Sequence, residues 1–280
     1  MRLARAGSMA SCDIVVRQHG RWLWLASLPG YEKVTRIADL AAGQELCKLA
    51  ETIGQHGSGS IEAEFDLATT AAIADRYTDI WGAGLNYLGH SSDLNARQPD
   101  SGPGSYLRPA GCLIDNGGYI DLPAQSKRVT AEAELGLIIG TACKNVPRAG
   151  WRSVVAGVTV VLDMTAEDMV RENPRYIPWA KGFDTFCSIG PLMVTIDEFT
   201  DDALKSVDIA TMRNGETIAS ATPAEMKYEL GYLVEYFTAG RTLSPGTVIC
   251  TGTPGAAVIS PGDTVQAVVQ DVGTLTHPVR

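Results

Sequence analysis

The stretch 131–140, Ala-Glu-Ala-Glu-Leu-Gly-Leu-Ile-Ile-Gly, constrains the fold most, because two glutamates alternate in it with apolar residues. Successive side chains of a β-strand point to opposite faces of the sheet, so Glu132 and Glu134 are predicted to share one face. Two carboxylates this close repel each other unless they are well solvated, share a proton or hold a cation. Because carboxylates are mostly exposed, this stretch taken alone favours a solvated sheet face over a metal site.

A third carboxylate ends an almost continuous apolar run at 157–163, which is typical of a strand buried on both faces. A helix is predicted to follow this strand, with Thr165 as its N-cap and Asp168 at the capping-box position. Asp163 at the end of a buried strand needs a partner that offsets its desolvation. Together with the two glutamates it makes an all-oxygen set, which favours Mg²⁺ and then Mn²⁺ or Ca²⁺.

An imidazole and a carboxylate stand three positions apart at His90 and Asp93. With a serine as the helix N-cap, the two side chains would lie on one helix face. A carboxylate beside a histidine fixes its tautomer and raises its basicity, which is what a general base needs. A surface histidine next to an acidic residue has the same pattern, so the pair alone favours an ordinary surface.

Two further segments carry polar groups that a negatively charged ligand could use. Lys181 lies among aromatic and glycine residues, where it either extends to the surface or stabilises developing negative charge near a metal. The segment 248–255 is predicted to be a strand followed by a loop rich in threonine and glycine. Backbone N–H groups of such a loop, as at Gly252, and the hydroxyls of Thr251 and Thr253 can bind a carboxylate, although a tight turn has the same composition.

The composition excludes several classes of protein. The chain has 280 residues, of which 45% are hydrophobic, and this is ample for a core. The net charge of −9 and the lack of a basic stripe argue against a nucleic-acid partner. Because neither a run of 18 apolar residues nor a signal-peptide pattern is found, we expect no membrane partner and a cytoplasmic location. Six cysteines without a C-x-x-C pair predict reduced, mostly buried thiols.

The chain is predicted to consist of a small N-terminal domain, residues 1–74, and a larger domain, residues 75–280. A hairpin is predicted from 13–18 and 21–28, and a helix over 37–53. The first nine residues contain Gly7-Ser8-Met9, which looks like a vector-derived remnant before a native start, so they are left out of the fold prediction.

Several short motifs, taken in their order along the chain, resemble those of the fumarylacetoacetate hydrolase family. They are Gly84-Leu-Asn-Tyr-x-x-His90, Glu132-x-Glu134-Leu with Ile139-Gly140, Val161-Leu-Asp163-Met-Thr, Lys181-x-Phe-Asp-Thr-Phe with Gly190-Pro191, Asn214-Gly215 and Thr251-Gly-Thr-Pro254. Each motif is weak, but the combination is specific and runs from about residue 79 to the C-terminus. The resemblance implies a mixed α/β, β-rich fold. In it, twisted β-sheets form a β-barrel-like catalytic core behind a small N-terminal α+β domain, usually in homodimers or larger homo-oligomers.

The resemblance also implies roles for individual residues. Glu132, Glu134 and Asp163 would bind the metal, usually Mg²⁺ or Mn²⁺. His90 would belong to a segment that orders over the substrate and would pair with an acid, here Asp93, while Lys181 would face the metal-bound substrate. The substrate contacts would be Arg108, Gly252 and Thr253, the last of these through the substrate carboxylate. The family pattern has Glu in place of Asp93 and Lys in place of Arg108, which leaves water activation and substrate identity open.

These parts fit two kinds of reaction on a small dicarbonyl or 2-oxo acid. The first is hydrolysis of a C–C bond in a 2,4-dioxo acid of the acylpyruvate type, with water activated by His90. The second needs no attacking water and makes the protein a decarboxylase, a tautomerase or isomerase, or a hydratase; Asp93 slightly favours it. A third hypothesis is a structural cation without catalysis, but a structural cation would not need Lys181 or the His90–Asp93 pair.

Overall fold

The computed structural model describes residues 1–18, 20–93, 98 and 100–280, with only the backbone for residues 18, 90, 92 and 93. The strands in this part of the chain are β1 (Arg2–Ser8), β2 (Ser11–Gln18), β3 (Arg21–Trp24), β4 (Thr70–Ala71), β5 (Ile80–Gly84), β6 (Gly104–Arg108), β7 (Val129–Ile139), β8 (Val155–Ala166), β9 (Cys187–Thr195), β10 (Ile209–Arg213), β11 (Glu216–Ala221), β12 (Val248–Cys250), β13 (Ala256–Ile259), β14 (Thr264–Val269) and β15 (Gly273–Pro278).

Helices lie between the strands. The α-helices are α1 (Ile37–Ala41), α2 (Glu45–His56), α3 (Leu88–Asp93), α4 (Glu167–Glu172), α5 (Ile177–Ala180), α6 (Asp201–Lys205) and α7 (Leu230–Thr238). The 3-10 helices span Leu25–Ser27, Gly57–Gly59, Leu67–Thr69, Ala110–Cys112, Arg148–Val154, Pro174–Tyr176, Ile196–Glu198 and Pro223–Glu225. Within the described ranges, no helix is long and apolar enough to cross a membrane.

Two sheets organise these elements. Among the described residues, eleven strands form one mixed sheet in the order β3-β2-β1-β9-β8-β7-β12-β5-β6, with β4 paired to β1 and β13 paired to β7. The pairing of β12 with β5 is parallel. A four-stranded sheet, β11-β10-β14-β15, packs beside it, and the Ala133 N–H of β7 donates to Thr211 Oγ1 of β10 at 2.9 Å. This strand-rich architecture confirms the predicted mixed α/β class.

The long strands β7 and β8 form the centre of the molecule, since every residue of both is buried. Their apolar residues explain this position, because side chains such as Leu135 and Val160 have neighbouring strands on both sides and elements packed on both faces. The antiparallel register places Glu132 opposite Asp163 and Glu134 opposite Val161. The face that carries the glutamates is therefore buried, contrary to the solvated face that the strand pattern favoured.

The N-terminal strands extend the large sheet. The predicted hairpin is present as β2 and β3. Leaving out the first nine residues was wrong, because β1 pairs with β2 along its length and its Leu3 pairs with Met193 of β9. An alternation of buried and exposed residues does not describe β1, because the successive residues Leu3 and Ala4 are both fully buried. The strand lies between β2 and β9. The sheet is continuous across the boundary that was predicted between residues 74 and 75.

The single helix predicted over 37–53 is two helices, α1 and α2. The chain turns between them at Gly43, whose φ of 60° lies in the left-handed region that glycine adopts without strain. The Gly43 N–H donates to the Gly140 carbonyl at 2.8 Å, which fixes the turn against the end of β7. Apolar spacing alone did not reveal the break, because the spacing continues on both sides of it.

Candidate active site

Strands β7 and β8 bring three buried carboxylates together. Glu132 stands opposite Asp163, and Glu134 lies two residues further along the same face of β7. One oxygen from each of these three residues lies within 4.8 Å of the other two. Like charges this close repel, and a hard divalent cation is the partner that an all-oxygen set prefers.

Lys181 supplies positive charge to this carboxylate cluster. Its Nζ lies 2.9 Å from Asp163 Oδ1 and 3.2 Å from Glu132 Oε2, and it donates to Thr165 Oγ1 at 2.6 Å. Burial on its own would lower the pKa of Lys181, but Asp163 and Glu132 outweigh burial and raise the pKa above its ordinary value. The side chain is therefore a protonated ammonium aimed into the cluster.

Thr165 was predicted to cap a helix, and that prediction was wrong. Strand β8 continues to Ala166, which precedes α4 and provides no side-chain cap. Pairing with β7 extends as far as Val129 opposite Ala166, so ladder hydrogen bonds hold the backbone of Thr165 in the strand. Its hydroxyl donates instead to Glu132 Oε1 at 3.0 Å, and thus orients a candidate metal ligand.

Arg108 lies behind Asp163, away from the cavity. Its guanidinium is fully buried and donates to Asp163 Oδ1, to the Lys181 carbonyl and, at 2.8 Å, to the Phe186 carbonyl. Burial would raise the pKa of Asp163, but the charges of Arg108 and Lys181 outweigh it and hold the pKa below its ordinary value. The structure therefore places Arg108 as a support for Asp163, whereas the resemblance implied a contact with substrate.

Tyr106 is a member of the site that the sequence did not reveal. Its hydroxyl donates to Asp163 Oδ2, and its ring lies across the backbone of Gly82 on the paired strand. A Cβ at Gly82 would lie 2.0 Å from Tyr106 Cζ, so only glycine fits there. Burial, reinforced by Asp163 and Glu134, raises the pKa of Tyr106, and its hydroxyl keeps its proton. The signal in the sequence was this glycine, which marks a close approach to the backbone.

Glu134 is the least compensated of the three carboxylates. Burial raises its pKa to about 8, and the charge of Asp163 acts in the same direction, although Lys181 and the Gly252 N–H, which donates to Oε2 at 2.8 Å, oppose the rise. Three carboxylates face two positive groups, Lys181 and Arg108. With all three carboxylates ionised, one negative charge is left over, and this excess favours the binding of a cation. Charge and donor chemistry both fit Mg²⁺, Mn²⁺ or Ca²⁺.

The loop Thr251-Gly252-Thr253 closes one side of the carboxylate cluster, since its Gly252 N–H bonds to Glu134. Asn86 donates from its amide nitrogen to the Thr251 carbonyl at 2.9 Å and to the Tyr228 carbonyl at 3.0 Å. Gly252 has a φ of 97°, and a Cβ there would lie 2.8 Å from both the Ala83 oxygen and Asn86 Cβ. The Thr253 hydroxyl donates to the Gly255 carbonyl at 3.0 Å. The loop is therefore held in one conformation.

A cavity of about 400 Å³ lies above the cluster, a size that suits a small organic acid. Its floor contains Tyr106, Glu132, Glu134, Thr165 and Lys181, and Gly252 and Thr253 line it from the loop. The remaining lining residues come from the end of β5 and from the segment of α4 and α5: Ala83, Gly84, Leu85, Glu167, Val170, Arg171, Pro174 and Ile177. Glu132, Glu134, Lys181, Gly252 and Thr253 thus share one cavity.

His90 and Asp93 lie in α3, and their side chains fall outside the described residues. The helix begins at Leu88, so Ser91 and Ser92 both lie inside it and the prediction of a serine N-cap was wrong. The Ser91 hydroxyl donates to the Tyr87 carbonyl. Leu85, three residues before the first residue of α3, lines the cavity. The chain therefore enters α3 from a position beside the cavity. The roles of His90 and Asp93 stay predictions.

Comparison with known sequences identifies the C-terminal part of the chain. A family profile described as fumarylacetoacetate (FAA) hydrolase C-terminal matches residues 79–280. The oxaloacetate tautomerase Fahd2a, mitochondrial, of Rattus norvegicus is 30% identical over 204 residues, which cover 70% of this chain and 64% of that protein.

Solved structures resemble the chain over its whole length, and two of them are described first. The 5-carboxymethyl-2-hydroxymuconate delta-isomerase from Mycobacterium smegmatis is 30% identical, with a TM-score of 0.75 and coverage of 100% of this chain and 98% of the other. The maleylpyruvate hydrolase from Sphingobium sp. SYK-6 is 26% identical, with a TM-score of 0.81 and coverage of 100% and 99%. A second structure of a maleylpyruvate hydrolase from that source, at 24% identity, is a complex with manganese(II) and pyruvate.

Proposed function

The chain belongs to the fumarylacetoacetate hydrolase family, as its motifs predicted, and from this membership we propose that it is a metal-dependent hydrolase of a small 2-oxo acid. The observation that carries the proposal is the buried cluster of Glu132, Glu134 and Asp163, of which the two glutamates line a cavity together with Lys181. Its similar proteins include a hydrolase, an isomerase and a tautomerase. The specific reaction that we propose is cleavage of a C–C bond in a 2,4-dioxo acid of the acylpyruvate type.

Glu132, Glu134 and Asp163 would hold the cation, with Mg²⁺ or Mn²⁺ as the first candidates and Ca²⁺ as a third. When bound, a divalent cation supplies Lewis acidity that polarises substrate oxygens. Thr130 and Thr165 each donate to Glu132 Oε1 at 3.0 Å, which fixes that carboxylate before any ligand arrives. Preorganised ligands of this kind are what a catalytic site requires.

Other residues of the cavity would stabilise charge, bind the substrate carboxylate and exclude water. The buried ammonium of Lys181 stabilises negative charge that develops on the substrate, because a charge in a buried site acts more strongly than one in water. Thr253 lies at the wall where the substrate carboxylate would bind. The apolar side chains of Val170 and Ile177 restrict the access of bulk water to the reacting atoms.

In the proposed hydrolysis, His90, oriented by Asp93, removes a proton from water, and the water oxygen attacks the carbonyl carbon remote from the carboxylate. The C–C bond on the side of the 2-oxo acid then breaks, and its electron pair remains on the carbon of the departing enolate. Lys181 stabilises the negative charge, and a proton added to that carbon completes the release of two acids.

Tautomerisation or isomerisation through an enolate is the second candidate, and decarboxylation or hydration would use the same groups. It is favoured by Asp93, whose side chain is one methylene shorter than the glutamate of the family pattern, because such reactions need no attacking water. The isomerase and tautomerase that are 30% identical to the chain support the same candidate.

Product analysis distinguishes these reactions. Protein stripped with a chelator and reloaded with Mg²⁺ or Mn²⁺ is incubated with acylpyruvates and with oxaloacetate, and the products are identified by mass spectrometry. Two acids indicate hydrolysis and CO₂ indicates decarboxylation. A change in the ultraviolet absorbance of the enol without a change in mass indicates tautomerisation. We expect Glu134→Gln to abolish turnover and Glu51→Gln, at an exposed position of α2, to leave it unchanged. Substantial turnover by stripped protein would contradict the proposal.

Assembly into a homodimer or a larger homo-oligomer and a cytoplasmic location remain predictions from the sequence. Multi-angle light scattering of the purified protein, with and without Mn²⁺, tests the first of them.

A further inference from the structure

One face of α4 and the turn after it is directed into the cavity. Glu167, Val170, Arg171 and Pro174 all line it, and their spacing of three, four and seven residues is that of a single helix face. Val170 and Pro174, together with Ile177, make this wall mainly apolar. Arg171, whose guanidinium is bonded to Glu167, is the cationic residue of this wall.

Glu167 connects this wall to a second arginine, Arg128, which lies outside the residues that line the cavity. The buried carboxylate of Glu167 accepts from Arg171 Nε at 2.7 Å and from Arg128 Nε at 2.5 Å, so two guanidinium groups share one carboxylate. Both arginine side chains are about half exposed, at 46% each. In the described part of the chain, the bonds of Arg171 to protein use Nε and Nη2, and Nη1 remains for a ligand.

The cavity thus presents cationic groups at two separate places. One is the floor, where Lys181 stands beside the carboxylate cluster, and the other is Arg171 in the α4 wall. A ligand with a single acidic end would use only the first. A ligand with acidic groups at both ends and an apolar middle would use both places and the apolar side chains as well.

We propose that Arg171 is a specificity-determining residue that binds a second carboxylate, at the end of the substrate remote from its 2-oxo acid group. The inference rests on the proposed function and narrows its substrate class to dicarboxylic 2-oxo acids. The planar guanidinium matches the geometry of a carboxylate, and Glu167 holds it in place without neutralising the pair of arginines.

Binding of simple 2-oxo acids tests this inference without turnover of a C–C bond. Isothermal titration calorimetry on Mn²⁺-loaded protein compares 2-oxoglutarate with 2-oxopentanoate, and 2-oxoadipate with 2-oxohexanoate. The members of each pair have equal chain length and differ in the distal carboxylate. We expect the dicarboxylate of the fitting length to bind about tenfold more tightly than its partner, the size of effect that a partly desolvated charge pair provides.

Arg171→Gln is expected to abolish this preference while leaving the affinity for the monocarboxylate unchanged, and Arg171→Lys should retain part of it. Arg175→Gln, at an exposed arginine of the next turn that does not line the cavity, serves as the matched control. Thermal unfolding of each variant verifies the fold, since Glu167 keeps Arg128 as a partner in Arg171→Gln.

The outcomes separate the inference from the function on which it rests. If the pairs bind equally to wild-type protein, or if Arg171→Gln keeps the preference, the role of Arg171 is refuted and the proposed function stands. If none of the four acids binds to the Mn²⁺-loaded protein, the proposed function fails and the inference fails with it.

Discussion

Glu132 and Asp163 face each other across β7 and β8, and Lys181 Nζ joins them, at 3.2 Å from one carboxylate and 2.9 Å from the other. The ammonium offsets the repulsion between these two buried carboxylates. The same position makes Lys181 a neighbour of any ion or substrate that binds to the cluster. Its charge therefore contributes to stability and to chemistry at once.

Binding of a divalent cation should raise the stability of the protein. A ligand that binds only the folded state adds about 2.7 kcal/mol to the free energy of unfolding at a concentration 100 times its dissociation constant. We expect Mn²⁺ to stabilise wild-type protein and Glu51→Gln by this amount. In Glu134→Gln, most of the stabilisation by Mn²⁺ should be lost. Urea denaturation at fixed Mn²⁺ measures the effect. Equal stabilisation of Glu134→Gln and wild type would show that the ion binds elsewhere.

Lys181→Met should destabilise the metal-free protein. Removing one partner of a buried ion pair leaves uncompensated charge behind, at a cost of about 3 kcal/mol. Because Mn²⁺ would then neutralise a larger excess of negative charge, we expect it to stabilise this variant more than wild type, whereas turnover should be lost. Denaturation curves with and without Mn²⁺ measure both effects. A metal-free variant as stable as wild type would contradict the charge balance described for the cluster.

Gly82→Ala should reduce activity by displacing the Tyr106 ring. The added Cβ would lie 2.0 Å from Cζ and 2.4 Å from the hydroxyl, so the ring must move and its bond to Asp163 is lost. We expect kcat to fall by about tenfold or more, since small displacements of a preorganised group are costly. Gly54→Ala in α2, where nothing lies within 4 Å of the added atom, is the control. Unchanged kinetics in Gly82→Ala would show that the position of the Tyr106 ring does not affect the reaction.

The stability of the protein should decrease in mild acid because of His277. This residue is fully buried in β15, and burial lowers its pKa from 6.5 to about 4, although the Gly118 carbonyl, 2.9 Å from Nδ1, opposes the shift. Below pH 6.5 the unfolded chain binds the proton more readily than the folded one. Above pH 6.5, His277 is neutral in both states and does not reduce the free energy of unfolding. As the pH falls from 6.5 toward 4, the free energy of unfolding decreases by about 3 kcal/mol.

Unfolding free energies between pH 4 and pH 7, from urea titrations, measure this dependence. His277→Gln should flatten it relative to wild type, because the substituted side chain does not titrate. Parallel profiles for the two proteins would assign the acid sensitivity to other groups.

Local sequence patterns predicted part of the site well. The two-residue period of a strand requires Glu132 and Glu134 to share a face, and this could be derived from ten residues. The pairing of Glu132 with Asp163 depends on the register of β7 and β8, which no local pattern determines. The order of motifs indicated that the three carboxylates belong together, because it reflects the fold as a whole.

Other features were decided by packing that the sequence does not display. Thr165 has the local pattern of a helix cap, but the ladder between β7 and β8 keeps it in a strand. Arg108 stands in a motif of the family, yet its guanidinium is directed at the rear of Asp163. Tyr106 belongs to the site because Gly82 on the next strand leaves room for its ring, a relation between two strands.

The pairing of β1 with β9 has a consequence for the handling of this protein. Arg2, Leu3 and Ala4 cover three residues of β9, and all of them precede the part of the chain that matches the family profile. Without β1, that stretch of β9 would present unpaired N–H and C=O groups to solvent, and such sheet edges recruit other chains. Trimming the molecule to residues 79–280 is therefore expected to yield insoluble aggregates, although every proposed catalytic residue is retained.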